Sequence, residues 1–152
     1  MMNRLTRILF TFGVIVTLAA CGDPPTAPEE ELRAWVAAGT AAAEAKERRE
    51  LVGMVSSSYA DARGNERDDL DNVLRAYFFR QHKIGLLTHI EEITVYDDTA
   101  AKIVLTVGMA GTSDGVLGFD ADAYRFEMEV EKASGEWQLI AARWGELGDE
   151  LR

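Results

Sequence analysis

Cysteine is almost missing from this chain: Cys21 is the only one in 152 residues. An intramolecular disulfide is therefore excluded, so the fold must rest on packing alone. A chain of this length buries roughly two-thirds of its surface and does not need a covalent staple. Histidine is scarce too. His82 and His89 are the only two, and they share neither an i,i+4 helical spacing nor a Cys or Glu partner at a zinc-like interval, so no metal is expected. Positive charge is in short supply, with 16 Lys and Arg against 26 Asp and Glu and a net charge of −10. That balance repels nucleic acid and anionic surfaces at long range, which excludes nucleic-acid binding as a main role. There is no phosphate-binding glycine loop and no nucleotide fingerprint, and thus no expected cofactor. Ser56, Ser57 and Ser58 lack the context of a nucleophile elbow.

What is present starts at the amino terminus. Arg4 and Arg7 precede Ile8, Leu9, Phe10, Phe12, Val14, Ile15, Val16 and Leu18, and small residues follow. A basic start, an apolar run and small residues at its end are the layout of a secretory signal peptide. As a helix, residues 8–20 would span about 20 Å at ~1.5 Å per residue, short of the ~30 Å hydrocarbon core of a bilayer. The run suits export better than permanent spanning.

At its end, Leu18-Ala19-Ala20-Cys21 resembles the lipobox of bacterial lipoproteins. The resemblance implies cleavage before Cys21 and acylation of both its sulfur and its new amino group. One acyl chain holds a protein only reversibly, and a multiply acylated cysteine meets the need for a second anchor. Residues 1–20 then form the signal, 21–28 the lipidated cysteine and its tether, and 29–152 one α+β domain. Without Arg4 and Arg7 the balance becomes 14 basic against 26 acidic residues, or −12. Every proline (Pro24, Pro25 and Pro28) lies in or beside the tether, which at ~3.1 Å per residue reaches about 20 Å. The expected location is the bacterial envelope, periplasm-facing, with the lipid bilayer as partner through Cys21. Gly22 rather than aspartate follows the cysteine, which by the same resemblance favours the outer membrane over the inner.

Downstream, the period is helical up to about Val55. Thr26-Ala27-Pro28-Glu29 has capping-box spacing, and Glu29, Glu30 and Glu31 suit the positive end of a helix dipole. Gly39-Thr40 reads as a point where the helix bends or splits. The charge run 44–50 reads as a solvated face with an i,i+4 pair between Glu44 and Arg48. Leu70, Val73, Leu74, Tyr77 and Phe78 make the next amphipathic helix, whose acidic start is explained by dipole complementarity. Strand alternation follows, with a slip at Glu91-Glu92 that predicts a bulge. A clean period of two runs from Tyr124 to Val130, then a Ser134-Gly135 turn. Helices followed by an antiparallel meander predict N-terminal helices on one face of a curved sheet of about four strands.

Tyr59-Ala60-Asp61 with the helix after it, and residues 124–144 with Gly135-Glu136-Trp137-Gln138-Leu139-Ile140 at the turn, resemble the nuclear-transport-factor-2-like superfamily. The resemblance covers most of residues 29–152, though the short strands common between that superfamily's helices have no clear counterpart here. It implies a cone-shaped fold that hosts isomerases, dehydratases and many non-catalytic binders, so the fold does not select the function. If the sheet curls over the helices, Tyr59, Tyr77, Tyr124 and Trp137 are expected to line a pocket. Asp61, Tyr59 and His89 are the candidates for proton-transfer chemistry, which needs a placed carboxylate and buried donors. The plainer reading makes the tyrosines core residues and Asp61 a turn-former. The glycine-rich connection 109–120 carries Val116, Leu117 and Phe119, read as a lid or partner-docking tip. The preferred expectation is a non-catalytic binding module for an envelope protein or small apolar ligand. A lipid-anchored isomerase or dehydratase and a structural homodimer are the alternatives.

Overall fold

The structure is a computed structural model and describes residues 27–113 and 119–152, with backbone alone at 111–113 and 119–121. Cys21 and the apolar run before it lie outside the described residues, as do Val116 and Leu117. Three helices come first: α1 (Pro28–Glu44), α2 (Arg48–Gly53) and α3 (Arg67–Arg80). Four strands follow: β1 (Gln81–Asp97), β2 (Ala100–Ser113), β3 (Phe119–Ala133) and β4 (Glu136–Glu146). They form one antiparallel sheet in the order β1-β2-β3-β4. This is the expected architecture of helices on a curved sheet.

Local chemistry accounts for most element boundaries. Pro28 opens α1, where a missing N–H costs nothing, and three glutamates fill its first turn. Its N-cap is Ala27, which offers no side-chain cap. Contrary to the expectation at Gly39-Thr40, α1 runs straight through that point. Gly39 instead admits a neighbour: a Cβ there would sit 3.3 Å from the Met54 methyl. The break comes later, at Lys46, whose φ of 57° ends the helix. The pair expected between Glu44 and Arg48 is also absent. Glu44 accepts the backbone N–H of Leu86 on the β1 edge at 2.8 Å, and Arg48 pairs with Asp71 of α3. A solvated face in the sequence is thus a set of tertiary ties.

Two irregularities set the sheet's phase. A bulge between Ile90 and Glu92 lets Ile90 and Ile93 both face inward, with Glu91 and Glu92 outside. A second, between Glu129 and Val130, places Trp137, Leu139, Ala142 and Trp144 on the inner face of β4. Ser134 and Gly135 both adopt positive φ, 54° and 87°, as a two-residue hairpin turn demands. The β2–β3 hairpin is longer than expected, because Thr112 pairs with Phe119. Phe119 is therefore a strand residue rather than part of a loop.

The core closes one end of the cone. Leu32 and Val36 of α1 join Ala101, Ile103, Leu105, Val130 and Trp137 in one buried cluster. Glu31 anchors the first turn of α1 to the β3–β4 hairpin, accepting Lys132 Nζ at 2.6 Å and Trp137 Nε1 at 2.8 Å. Those two donors hold its carboxyl below the ordinary glutamate range.

Residues 54–62 lie along the outer edge of β4. The Ser56 and Ala62 amides donate to Leu139 and Ala142, and an isolated bridge joins Ala60 to Glu66. Between α2 and α3 this segment makes isolated bridges and amide ties without forming a strand of its own. Asp61 is buried here and ties the turn: its Oδ1 accepts the amides of Arg63 at 2.9 Å and Asn65 at 2.8 Å, and its Oδ2 accepts Asn65 Nδ2 at 2.7 Å. Burial pushes the Asp61 carboxyl up, but those donors, with the Trp144 indole, outweigh it and hold the group below its ordinary value. At the far end of β4, Gly145 admits the C-terminal segment. A Cβ there would lie 2.8 Å from the Glu150 carbonyl oxygen, and the Trp144 amide donates to the Arg152 carbonyl at 3.0 Å.

Two expected outcomes follow from these ties. A carboxylate whose folded pKa is depressed stabilises above its unfolded pKa and loses that contribution as pH falls through the folded value. The stability gap between the native chain and Asp61→Asn, measured by denaturant unfolding, should be widest at neutral pH and close as pH drops below 3.8, the ordinary aspartate value. Gly145→Ala should cost about 1–3 kcal/mol, as overpacking does, and speed hydrogen exchange at the amides of Trp144 and Arg152.

Candidate ligand cavity

Beneath α3 the cone is not filled. A cavity of about 330 Å³ opens between the three helices and the inner face of the sheet. Trp35, Val36, Gly39 and Thr40 of α1 form its floor, while Leu51, Met54 and Val55 close one side. Leu70, Val73 and Leu74 of α3 cover it. Leu86, Thr88, Leu105, Val107, Phe126, Met128 and Leu139 make the sheet wall. The local cause is the packing of α3, which rests chiefly on α2 and the start of β1 and has no buried residue of its own. Leu70 of its apolar stripe packs on the Val55, Tyr59 and Ala142 cluster, while Val73 and Leu74 face the cavity. Val73, 61 % exposed although it lines the cavity, marks the opening.

The chemistry of the wall is uniform. Among the described lining residues there is no carboxylate, imidazole, phenol, amine or guanidinium. The only hydroxyls are Thr40 and Thr88, 3.0 Å apart and bonded to each other. Thr40 Oγ1 also donates to the Val36 carbonyl at 3.0 Å. With that proton committed, Thr88 is the donor within the pair, and neither hydroxyl has a proton left for a ligand. Such a wall desolvates apolar surface. It offers nothing that moves a proton.

The expected pocket residues sit elsewhere. Tyr59 is buried with Val55 and Ala142 under the 54–62 edge, and burial, with the Asp61 charge, pushes its phenol up to about 12. Trp137 is spent at the closed end on Glu31. Tyr124 does not line the cavity; its ring lies 6.5 Å from that of Phe126, which does, and 6.3 Å from Trp144. It borders a separate polar cleft with Trp144, Glu146, Asp149, Glu150 and Arg63, whose guanidinium lies 3.5 Å over the Trp144 ring. Tyr77 is half-buried near the end of α3, its ring 6.2 Å from Phe78. His89 is exposed on the outer face, where its charge adds to the pull of Arg125 and Thr106 on Glu91. Asp61 has both oxygens engaged in its turn. The three candidates for catalysis are therefore not brought together, and none of them reaches the cavity.

The residues that do line it had left a trace. Leu70, Val73 and Leu74 belong to the helical stripe, and Phe126 and Met128 to the alternation from Tyr124 to Val130. Periodicity marks such residues as inward-facing without distinguishing a filled core from a void. Among the described residues no group of three or more His, Cys, Asp or Glu is gathered as a metal would require.

No protein-family model matches this chain, and no curated protein matches it by sequence. Solved structures do match in shape. A proposed scytalone dehydratase from Novosphingobium aromaticivorans aligns with a TM-score of 0.72 at 12% identity, covering 78% of this chain and 83% of that one. A ketosteroid isomerase-like protein from Erwinia carotovora atroseptica gives 0.64 at 14% identity, covering 79% and 96%. A proposed dehydratase of the NTF2-like family from Streptomyces avermitilis gives 0.68 at 9% identity, covering 80% and 97%. At such identities the likeness speaks for the fold alone, and by helix order, sheet order and shape this chain has the nuclear-transport-factor-2-like fold.

Proposed function

We propose that this chain is a bacterial envelope lipoprotein, anchored through Cys21, whose cone binds an apolar ligand without transforming it. The observation that carries the binding reading is the wall of the cavity, apolar throughout its described residues, with both of its hydroxyls already satisfied. Its volume falls at the small end of the range usual for ligand pockets. Support for the anchor comes from Leu18-Ala19-Ala20-Cys21 and the apolar run before it. The acyl groups would hold the protein at the outer membrane, facing the periplasm.

A second reading, a lipid-anchored isomerase or dehydratase, draws on the names carried by the fold neighbours. Proton transfer requires an acid or base within hydrogen-bond reach of the bound substrate. The described lining supplies neither, and we rank this reading second.

Two measurements test the proposal. Mass spectrometry of the chain isolated from membranes should give an N-terminal fragment beginning at an acylated Cys21; an unmodified thiol or an uncut leader overturns the anchor. A neutral solvatochromic dye should bind the chain with a blue shift, and Val107→Trp, which sets an indole in the cavity, should abolish that shift while the far-UV circular dichroism stays native. Equal dye binding by both proteins would remove the cavity from the account.

A further inference from the structure

We propose that the cavity takes the tail of a single-chain anionic amphiphile, such as a fatty acid or a lysophospholipid, and leaves its head outside at the α3 mouth beside Arg80. This rests on the apolar-ligand reading above and adds to it the chemical class and orientation of the ligand.

The orientation follows from hydrogen-bond accounting. Thr40 gives its proton to the Val36 carbonyl and Thr88 gives its own to Thr40. Trp35 Nε1 has no partner, but it is sealed away from solvent-sized space. Apart from that indole, nothing in the described lining is left to donate to a carbonyl or carboxylate, and burying such a group unpaired is strongly unfavourable. A ligand head therefore stays out and only the tail enters. The wall suits a flexible aliphatic chain: Met54 and Met128 are thioethers that adapt to irregular shapes, set among leucines and valines.

The mouth suits a negative head. Residues 72–90 contain no Asp or Glu, in a chain of net charge −10. Arg80 lies seven residues beyond Val73 on α3, hence on the same face and about 10 Å further along. It is exposed and pairs with no described residue. The acidic groups nearest the mouth are engaged elsewhere: Asp69, one turn before Val73, accepts the Glu66 amide, Asp71 pairs with Arg48 and Arg75, and Glu44 accepts the Leu86 amide. The volume of about 330 Å³ favours one chain over two. Single-chain amphiphiles also leave a bilayer readily, whereas two-chain lipids stay.

The test is photolabelling of the full chain in lipid discs. Four diazirine probes are compared: palmitate, lysophosphatidic acid, hexadecanol and a diacyl phosphatidylcholine. The three single-chain probes should label peptides carrying Met54, Val107 and Met128, and the diacyl probe should not. Arg80→Glu should lower labelling by palmitate and lysophosphatidic acid about fivefold, the upper end for one exposed ion pair, and leave hexadecanol unchanged. Wall labelling by hexadecanol together with an unaltered palmitate signal in Arg80→Glu overturns the head-group assignment while leaving the apolar-ligand reading intact. Absence of wall labelling by every probe overturns both. Strong labelling by the diacyl probe overturns the single-chain limit. Labelling of Cys21→Ala where the native chain is inert would assign the cavity to the protein's own anchor and overturn the proposal.

Discussion

The seating of α1 on the sheet is the constraint from which the other features follow. Leu32, Ile103 and Val130 are the largest fully buried side chains, and all belong to the cluster at the closed end of the cone. Beside them Glu31 receives two donors from the β3–β4 hairpin. Together these contacts pin the first turns of α1 at the closed end of the cone, while Thr40 and Glu44 tie its later turns to β1 through polar contacts. The space beneath α3 opens beside those later turns, with Gly39 and Thr40 in its lining. A helix pinned hydrophobically at one end and tied by polar contacts along its course need not be packed to solid density throughout.

The polar ties at the open end hold the helices apart as well as together. Arg48 reaches across to Asp71, which also binds Arg75, and Lys46 Nζ donates to the Gln81 carbonyl at 2.9 Å. These contacts link α2, α3 and the start of β1 through long side chains rather than through interdigitated apolar ones. Each is worth little in water, but their combined effect is geometric. They hold α3 above the sheet at a height where its leucines line the cavity without filling it. The outer face of the sheet is organised differently: Glu91 binds Arg125 and Thr106, Glu127 binds Arg143, and Val104 is buried among them. On that face charged pairs surround the buried Val104.

Charge placement separates the two kinds of chemistry the fold supports. Several carboxylates with lowered pKa values are held by structural partners: Glu31 by Lys132 and Trp137, Asp97 by the Thr99 turn, and Glu91 by Arg125. Tyr59, Tyr124 and Glu129 are raised chiefly by burial, and none of them lines the cavity. Perturbed groups gather at catalytic sites when burial and charge are directed at a bound substrate. Here they are directed at backbone turns and at strands, while the interior space is left neutral.

Much of this molecule was determined locally. The order of helices and strands, the proline start of α1, the bulge at Glu91-Glu92 and the two-residue turn at Ser134-Gly135 each depend on a few neighbouring residues, because backbone preference and side-chain period act over one or two turns. The lipobox-like Leu18-Ala19-Ala20-Cys21 is likewise a matter of adjacent residues. The tertiary structure alone decided which inward residues meet and which leave a gap. Tyr59 and Asp61 were placed by the docking of residues 54–62 on β4, with Trp137 held at Glu31 and Tyr124 grouped with Trp144. Arg48 found Asp71, 23 residues away, in place of Glu44. A void is a deficit shared among segments far apart in the chain, and no short stretch of sequence carries its signature.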